Sequence, residues 1–385
     1  MNHPKSLFLL IALSLSLPQW AQATEVDIYG IADIGFHFTN SKYGDSSLKM
    51  TPGISKGSRI GLRGSERLGK GYAVVFNLES GFSLNDGAFD NTKNRLFNRN
   101  AYLGIKSPYG EIRFGRQGAL ASGVNGSIFL NSFTVFGNLY KEAQALQIIN
   151  HQVMRADNMI RYESPNLNGF KLYGEYSDGV DGDYTLPKSS RDRFGAIGTT
   201  YRKGPLRLVF VADKYFYKNN TYYKHPNSST YNFGIRFEAT DNITLYGAYQ
   251  YGSNVEKVGN KMKRYSHKDT AKTRYGNKGF DSHSIVLGTR INAFGGKIKL
   301  QTGYAKGNNY YFKTVVKSGE HINGRIAANV WQLAVGYDYP LSKRTYLYTA
   351  ASYVDRTYKD NGVKVTGDKN SNKVKSAVLG ICHSF

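Results

Sequence analysis

Arginines set between aliphatic or aromatic neighbours carry the most explicit chemistry in this chain. In SRIGLRG, Arg59 and Arg63 share one strand face with Gly61 and Ser65, while Ile60 and Leu62 take the other. Arg113 lies between Ile112 and Phe114, Arg161 between Ile160 and Tyr162, and Glu79 between Leu78 and Ser80, so strand parity separates each charge from its apolar neighbours. Guanidinium groups arrayed this way attract and orient anions.

Covalent chemistry finds little support. No Gly-rich phosphate loop, no zinc-type Cys or His cluster and no nucleophile elbow occurs, and the eight His are scattered. His283 beside Ser284 is the one suggestive pair, yet adjacent strand residues point to opposite faces and cannot meet as base and nucleophile. The expectation is a chain that is not an enzyme and needs no metal or other cofactor.

The excess of 51 Lys and Arg over 28 Asp and Glu raises the question of a polyanionic partner. An exported chain argues against nucleic acid. Eight of those basic residues crowd into 253–281, a stretch that suits lipopolysaccharide phosphates, an anion funnel or plain solvation.

The elements that must hold the arginines are strands. From Val26 to Phe38, Val26, Ile28, Ile34, Phe36 and Phe38 alternate with Asp27, Tyr29, Asp33 and His37, and the last segment alternates likewise, with Leu379, Ile381 and Phe385 opposite Val378 and Cys382. One face suits lipid and the other water, the pattern of a closed barrel in a membrane. A mean hydropathy of −0.46 is too polar for helical spans. Thirty Tyr and 21 Phe supply aromatic girdles. An arginine facing hydrocarbon near the midplane costs roughly 2 to 4 kcal/mol, so Arg59, Arg63, Arg113 and Arg161 are assigned to the lumen, and Glu79 with them.

Seven short links, at 66–71, 107–110, 164–169, 203–205, 238–242, 292–297 and 340–344, alternate with eight long ones, at 40–57, 85–95, 117–155, 177–191, 218–230, 253–281, 306–329 and 355–375. That count predicts about sixteen antiparallel strands in one all-β domain over 24–385. Alternation blurs at 98–104 and 193–201, where a subunit contact or a bulge would serve. Lys5, the apolar run from Leu7 to Leu17 and Ala21-Gln22-Ala23 read as a signal peptide over 1–23, cleaved after Ala23. The lone Cys382 excludes an internal disulfide.

VDIYGIADIG, SRIGLRGSERLGKGYAVVFNLESGF, NRNAYLGIKSPYGEIRFGRQ, RADNMIRYESPNLNGFKLYGEYS and the closing LGICHSF, in this order, resemble the trimeric general porins of Gram-negative outer membranes. The resemblance spans essentially the whole mature chain and is clearest in its first half. It implies a sixteen-stranded barrel with short periplasmic turns and long external loops, three barrels side by side, and a third loop, here Gln117 to Arg155, folded into the pore. It also implies insertion among outer-membrane lipid and lipopolysaccharide, with the terminal Phe385 read by the outer-membrane assembly machinery.

In that family, basic side chains on the wall face carboxylates on the inserted loop. Arg59, Arg99 and Arg155 stand where the family motif carries its arginines, and Glu79 is the nearest wall carboxylate. The loop departs from the pattern, reading Thr134-Val135-Phe136-Gly137 where many relatives place an acid before Phe-Gly, and its one carboxylate is Glu142. The resemblance therefore implies passive diffusion of small hydrophilic solutes, with weak to moderate anion preference. The alternatives are an anion-specific channel and a barrel acting mainly as a surface adhesin through its loops.

Overall fold

The computed structural model describes residues 25–42, 44–90, 94–182, 187–218, 226–259, 262–263, 273–277, 279–315, 321–361, 363–364 and 372–385. The expected signal peptide lies outside them, as do Lys261, Arg264, Lys268, Lys272 and Lys278, five of the eight basic residues of 253–281.

Sixteen wall strands follow in chain order. They are β1 Glu25–Ser41, β2 Gly44–Pro52 resuming as Arg59–Gly69, β3 Tyr72–Gly81, β4 Asn100–Ser107, β5 Gly110–Gly118, β6 Arg155–Glu163, β7 Phe170–Ser177 and β8 Arg193–Lys203. The second half comprises β9 Leu206–Phe216, β10 Ser228–Glu238, β11 Ile243–Val255, β12 Phe280–Ala293, β13 Gly296–Val315, β14 His321–Pro340, β15 Thr345–Asp360 and β16 Lys373–Ser384. Each pairs antiparallel with the next, and β16 pairs with β1 from Ile31↔Ser384 to Ser41↔Val374, which closes the barrel and leaves no bare edge. Ile28, Phe36, Ile60, Leu103, Ile197, Leu287, Leu333 and Leu379 stand exposed on the outer face, as alternation requires of side chains meant for lipid.

Three expectations are corrected. Residues 306–314 and 321–329 are not a long loop but ladder, paired from Lys306↔Asn329 to Thr314↔His321. Residues 40–57 are not a long loop. Gly44–Pro52 is wall, paired to β1 from Ile34↔Pro52 to Thr39↔Ser47, and only 53–58 leaves the ladder, turning inward as a short hook before Arg59 resumes it. The blurred stretch 193–201 is not a bulge, since its register with both neighbouring strands is unbroken. The inner side chains of β8 and β9, Phe194, Ala196, Val209 and Val211, are buried among Leu120, Phe129, Leu130 and Phe133 of the third loop, so both faces of these strands are apolar and the alternation vanishes.

That loop lies inside the barrel. It holds single turns of helix at Leu130–Phe133, Lys141–Ala143 and Ala145–Gln147. Inward-facing glycines form niches for it: a Cβ on Gly234 would lie 2.8 Å from Phe133, on Gly288 2.5 Å from Val135, on Gly303 2.7 Å from Ile148 and on Gly336 2.9 Å from Phe136. Because most of the loop is irregular, its backbone needs partners other than its own ladder. Wall amides supply them: Gln332 Nε2 donates to the carbonyls of Glu142 (2.7 Å) and Gln144 (2.9 Å), Gln301 Nε2 to that of Ala143 (3.2 Å), and Gln250 Nε2 to that of Asn150 (2.6 Å).

Candidate functional site

Across from the loop, β2, β3, the approach to β4 and the start of β6 bring the arginines together. Glu79 of β3, fully buried, is their hub. Its Oε1 accepts from Arg99 Nε at 2.6 Å, its Oε2 from Tyr29 Oη at 2.9 Å, and Arg59 Nη1 stands 3.7 Å away. Arg99 belongs to a segment folded back on β3, where its N–H donates to the Glu79 carbonyl at 3.1 Å and Asn98 Oδ1 accepts from Gly81 N at 2.8 Å. Such loop contacts, outside any ladder, explain the blurred alternation at 98–99.

The inward hook sets the other side. Asp33 of β1, wholly buried, accepts from the N–H groups of Ile54 (2.7 Å), Ser55 (3.2 Å) and Lys56 (3.0 Å) and from Tyr348 Oη (2.9 Å). Gly53 enters the hook at φ +62, a conformation that suits glycine. The hook presents Lys56 to the lumen and offers the Gly57 carbonyl to Arg59 Nε at 2.8 Å.

A cavity of about 580 Å³ lies between this wall and the loop, bordered by Lys56, Arg59, Arg99 and Arg155 and by two carboxylates, Glu79 and Asp90. The loop contributes Gly123, Val124, Asn125, Ser127, Asn131, Asn138 and Leu139, all uncharged. Arg155 makes no ion pair among the described residues, and its Nε has no hydrogen-bond partner there. The loop's Glu142 points away from the cluster, to His37 Nε2 at 2.9 Å. Burial alone would raise its pKa, but the hydrogen bond and charge of His37 outweigh that and hold the carboxyl below the usual range.

The remaining inward arginines serve other ends. Arg63 pairs with Asp27 at 3.1 Å near the short-turn end, and Arg113 with Glu111 at 2.5 Å. Arg161 does face inward, but it is not open to water. It is buried beneath the loop, where its Nε donates to Glu175 Oε2 at 3.0 Å and its Nη1 to the Gly126 carbonyl at 2.9 Å, so it braces the loop. Lys56, Asp90 and Tyr29 were not singled out from sequence as pore-lining groups. Tyr29 shares the wet face of β1 and was within reach of parity; Lys56 and Asp90 lie off the strands, where parity says nothing.

The closed ladder, lipid-suited exterior and charged bore define a channel-forming outer-membrane barrel. The chain matches the family described as Gram-negative porin over residues 7–359 and belongs to that family. It is 30% identical to an outer membrane porin protein of Bordetella pertussis, over 91% of this chain and 94% of the relative. It is 28% identical to outer membrane porin protein 32 of Delftia acidovorans, over 99% of each. Among solved structures, an anion-selective porin from Comamonas acidovorans superposes with a TM-score of 0.66 at 22% identity, covering 94% of this chain and all of the other. The protein is accordingly an outer-membrane porin, not an enzyme.

Proposed function

We propose that this porin passes small hydrophilic solutes passively, as a homotrimer, with a weak to moderate preference for anions set by Arg59, Arg99 and Arg155. The observation that carries this is the charge balance where the loop faces the wall: four basic side chains and two carboxylates border one cavity, and the loop side adds no charge. Glu79 neutralises part of the Arg59–Arg99 pair, which leaves Arg155 and Lys56 as the excess. In a narrow bore one unit charge a few ångströms from an ion biases occupancy by about 1 kcal/mol or more. The similar solved structure described as anion-selective supports the same sign.

The test is the reversal potential of reconstituted protein across a KCl gradient. Chloride preference is expected, with conductance rising in steps of three; cation preference would overturn the assignment. Conductance that saturates at low anion concentration would instead identify an anion-specific channel.

A further inference from the structure

On the short-turn side of the third loop, a second cavity of about 340 Å³ continues from the arginine cavity, since Lys56, Asn131 and Leu139 border both. It has four lysines, Lys56, Lys297, Lys299 and Lys343, against one carboxylate, Asp338. Asp338 is already engaged: its Oδ2 lies 2.5 Å from Lys299 Nζ and its Oδ1 accepts from Tyr140 Oη at 2.7 Å. Lys299 is held further by a 2.8 Å bond to Tyr140 Oη and by its seat 4.2 Å over that ring. Asp338 is thus spent on Lys299, and Lys56, Lys297 and Lys343 face the basin with no ion pair among the described residues.

The rest of the lining is unlike a simple ion vestibule. Leu139, Pro340 and Tyr346 supply the accessible apolar surface, backed by the buried rings of Phe136 and Tyr140, with Lys56 standing 5.5 Å over the Tyr346 ring. A chloride or phosphate ion gains nothing from that surface, whereas a carboxylate joined to a compact apolar body buries it while its head meets the lysines.

From this juxtaposition we infer that the basin is a binding site for small monocarboxylates with an apolar body, benzoate in size, through which such anions leave the arginine cluster. The inference deepens the anion-preferring reading but stands on different residues. The path is built by the hook, because only its inward turn puts Lys56 on the shared border of the two cavities.

The experiment measures chloride conductance of the reconstituted full-length protein in KCl at fixed ionic strength, with benzoate or acetate added. Benzoate is expected to reduce the current saturably, at a half-blocking concentration at least tenfold below that of acetate. In the K297M/K343M variant, whose two lysines are exposed and so dispensable for folding, that concentration should rise at least fivefold. Equal block by benzoate and acetate, or block unchanged in the variant, overturns the basin. Reversal potential in plain KCl is read on the same membranes: anion preference without benzoate discrimination refutes the basin alone, and cation preference refutes the arginine assignment alone.

Discussion

Arg155→Gln isolates the excess charge of the constriction, because Arg155 makes no ion pair among the described residues and its removal strands no carboxylate. A sphere of the cavity's volume has a radius of about 5 Å, so a central ion stands about 6 Å from the guanidinium, where unit charges interact by about 0.7 kcal/mol even at the dielectric of water. Screening over a Debye length of about 10 Å at 0.1 M salt lowers this to about 0.4 kcal/mol. The term acts with opposite sign on chloride and potassium, so the permeability ratio changes by about 0.8 to 1.4 kcal/mol, roughly four- to tenfold toward cations. Reversal potentials of wild type and variant under the same gradient measure it directly. The difference should fade near 1 M salt, where the Debye length is about 3 Å. A change under twofold at low salt, or a shift toward anions, would refute Arg155 as a selectivity group.

Three further outcomes follow from the packing. Gly234→Val drives a side chain into Phe133 and Val209, an overpacking that costs about 1 to 3 kcal/mol and should unseat the loop, seen as raised conductance and faster proteolysis within 119–154 of a barrel that stays folded. Asp33→Ala strands the Ile54, Ser55 and Lys56 N–H groups, each worth about 1 to 3 kcal/mol when buried without a partner, so denaturant should unfold it well below the wild-type midpoint. His151, in the returning leg of the loop, is pushed by burial, and then by Lys257 and Arg155, from 6.5 down to about 4. Between these values the undocked loop binds the extra proton, so docking is strongest above about pH 6.5 and weakens toward pH 4; channel noise should rise over that window, and less so in His151→Gln.

Legibility from sequence followed the reach of the signal. Parity is local and strict, so the lipid face and the inward placement of Arg59 and Glu79 could be read from single strands. The hook could not, because what turns 53–58 inward is a carboxylate about twenty residues earlier whose partners are backbone N–H groups. Arg161 shows the limit of parity: it gives the side of the wall correctly and is silent on whether water or a docked loop waits there.

The docked loop also decides what kind of field the constriction has. Its apolar side chains are committed to the wall's glycine niches, and its one carboxylate is held by His37, so nothing acidic remains to face the arginines. The opposing charges that do exist, Glu79 and Asp90, border the cavity together with the arginines and outside the loop. A field running between oppositely charged walls turns dipolar solutes and favours neither sign strongly, whereas a one-sided excess acts on net charge. The proposed selection by sign therefore rests on how this loop packs as much as on how many arginines the wall carries.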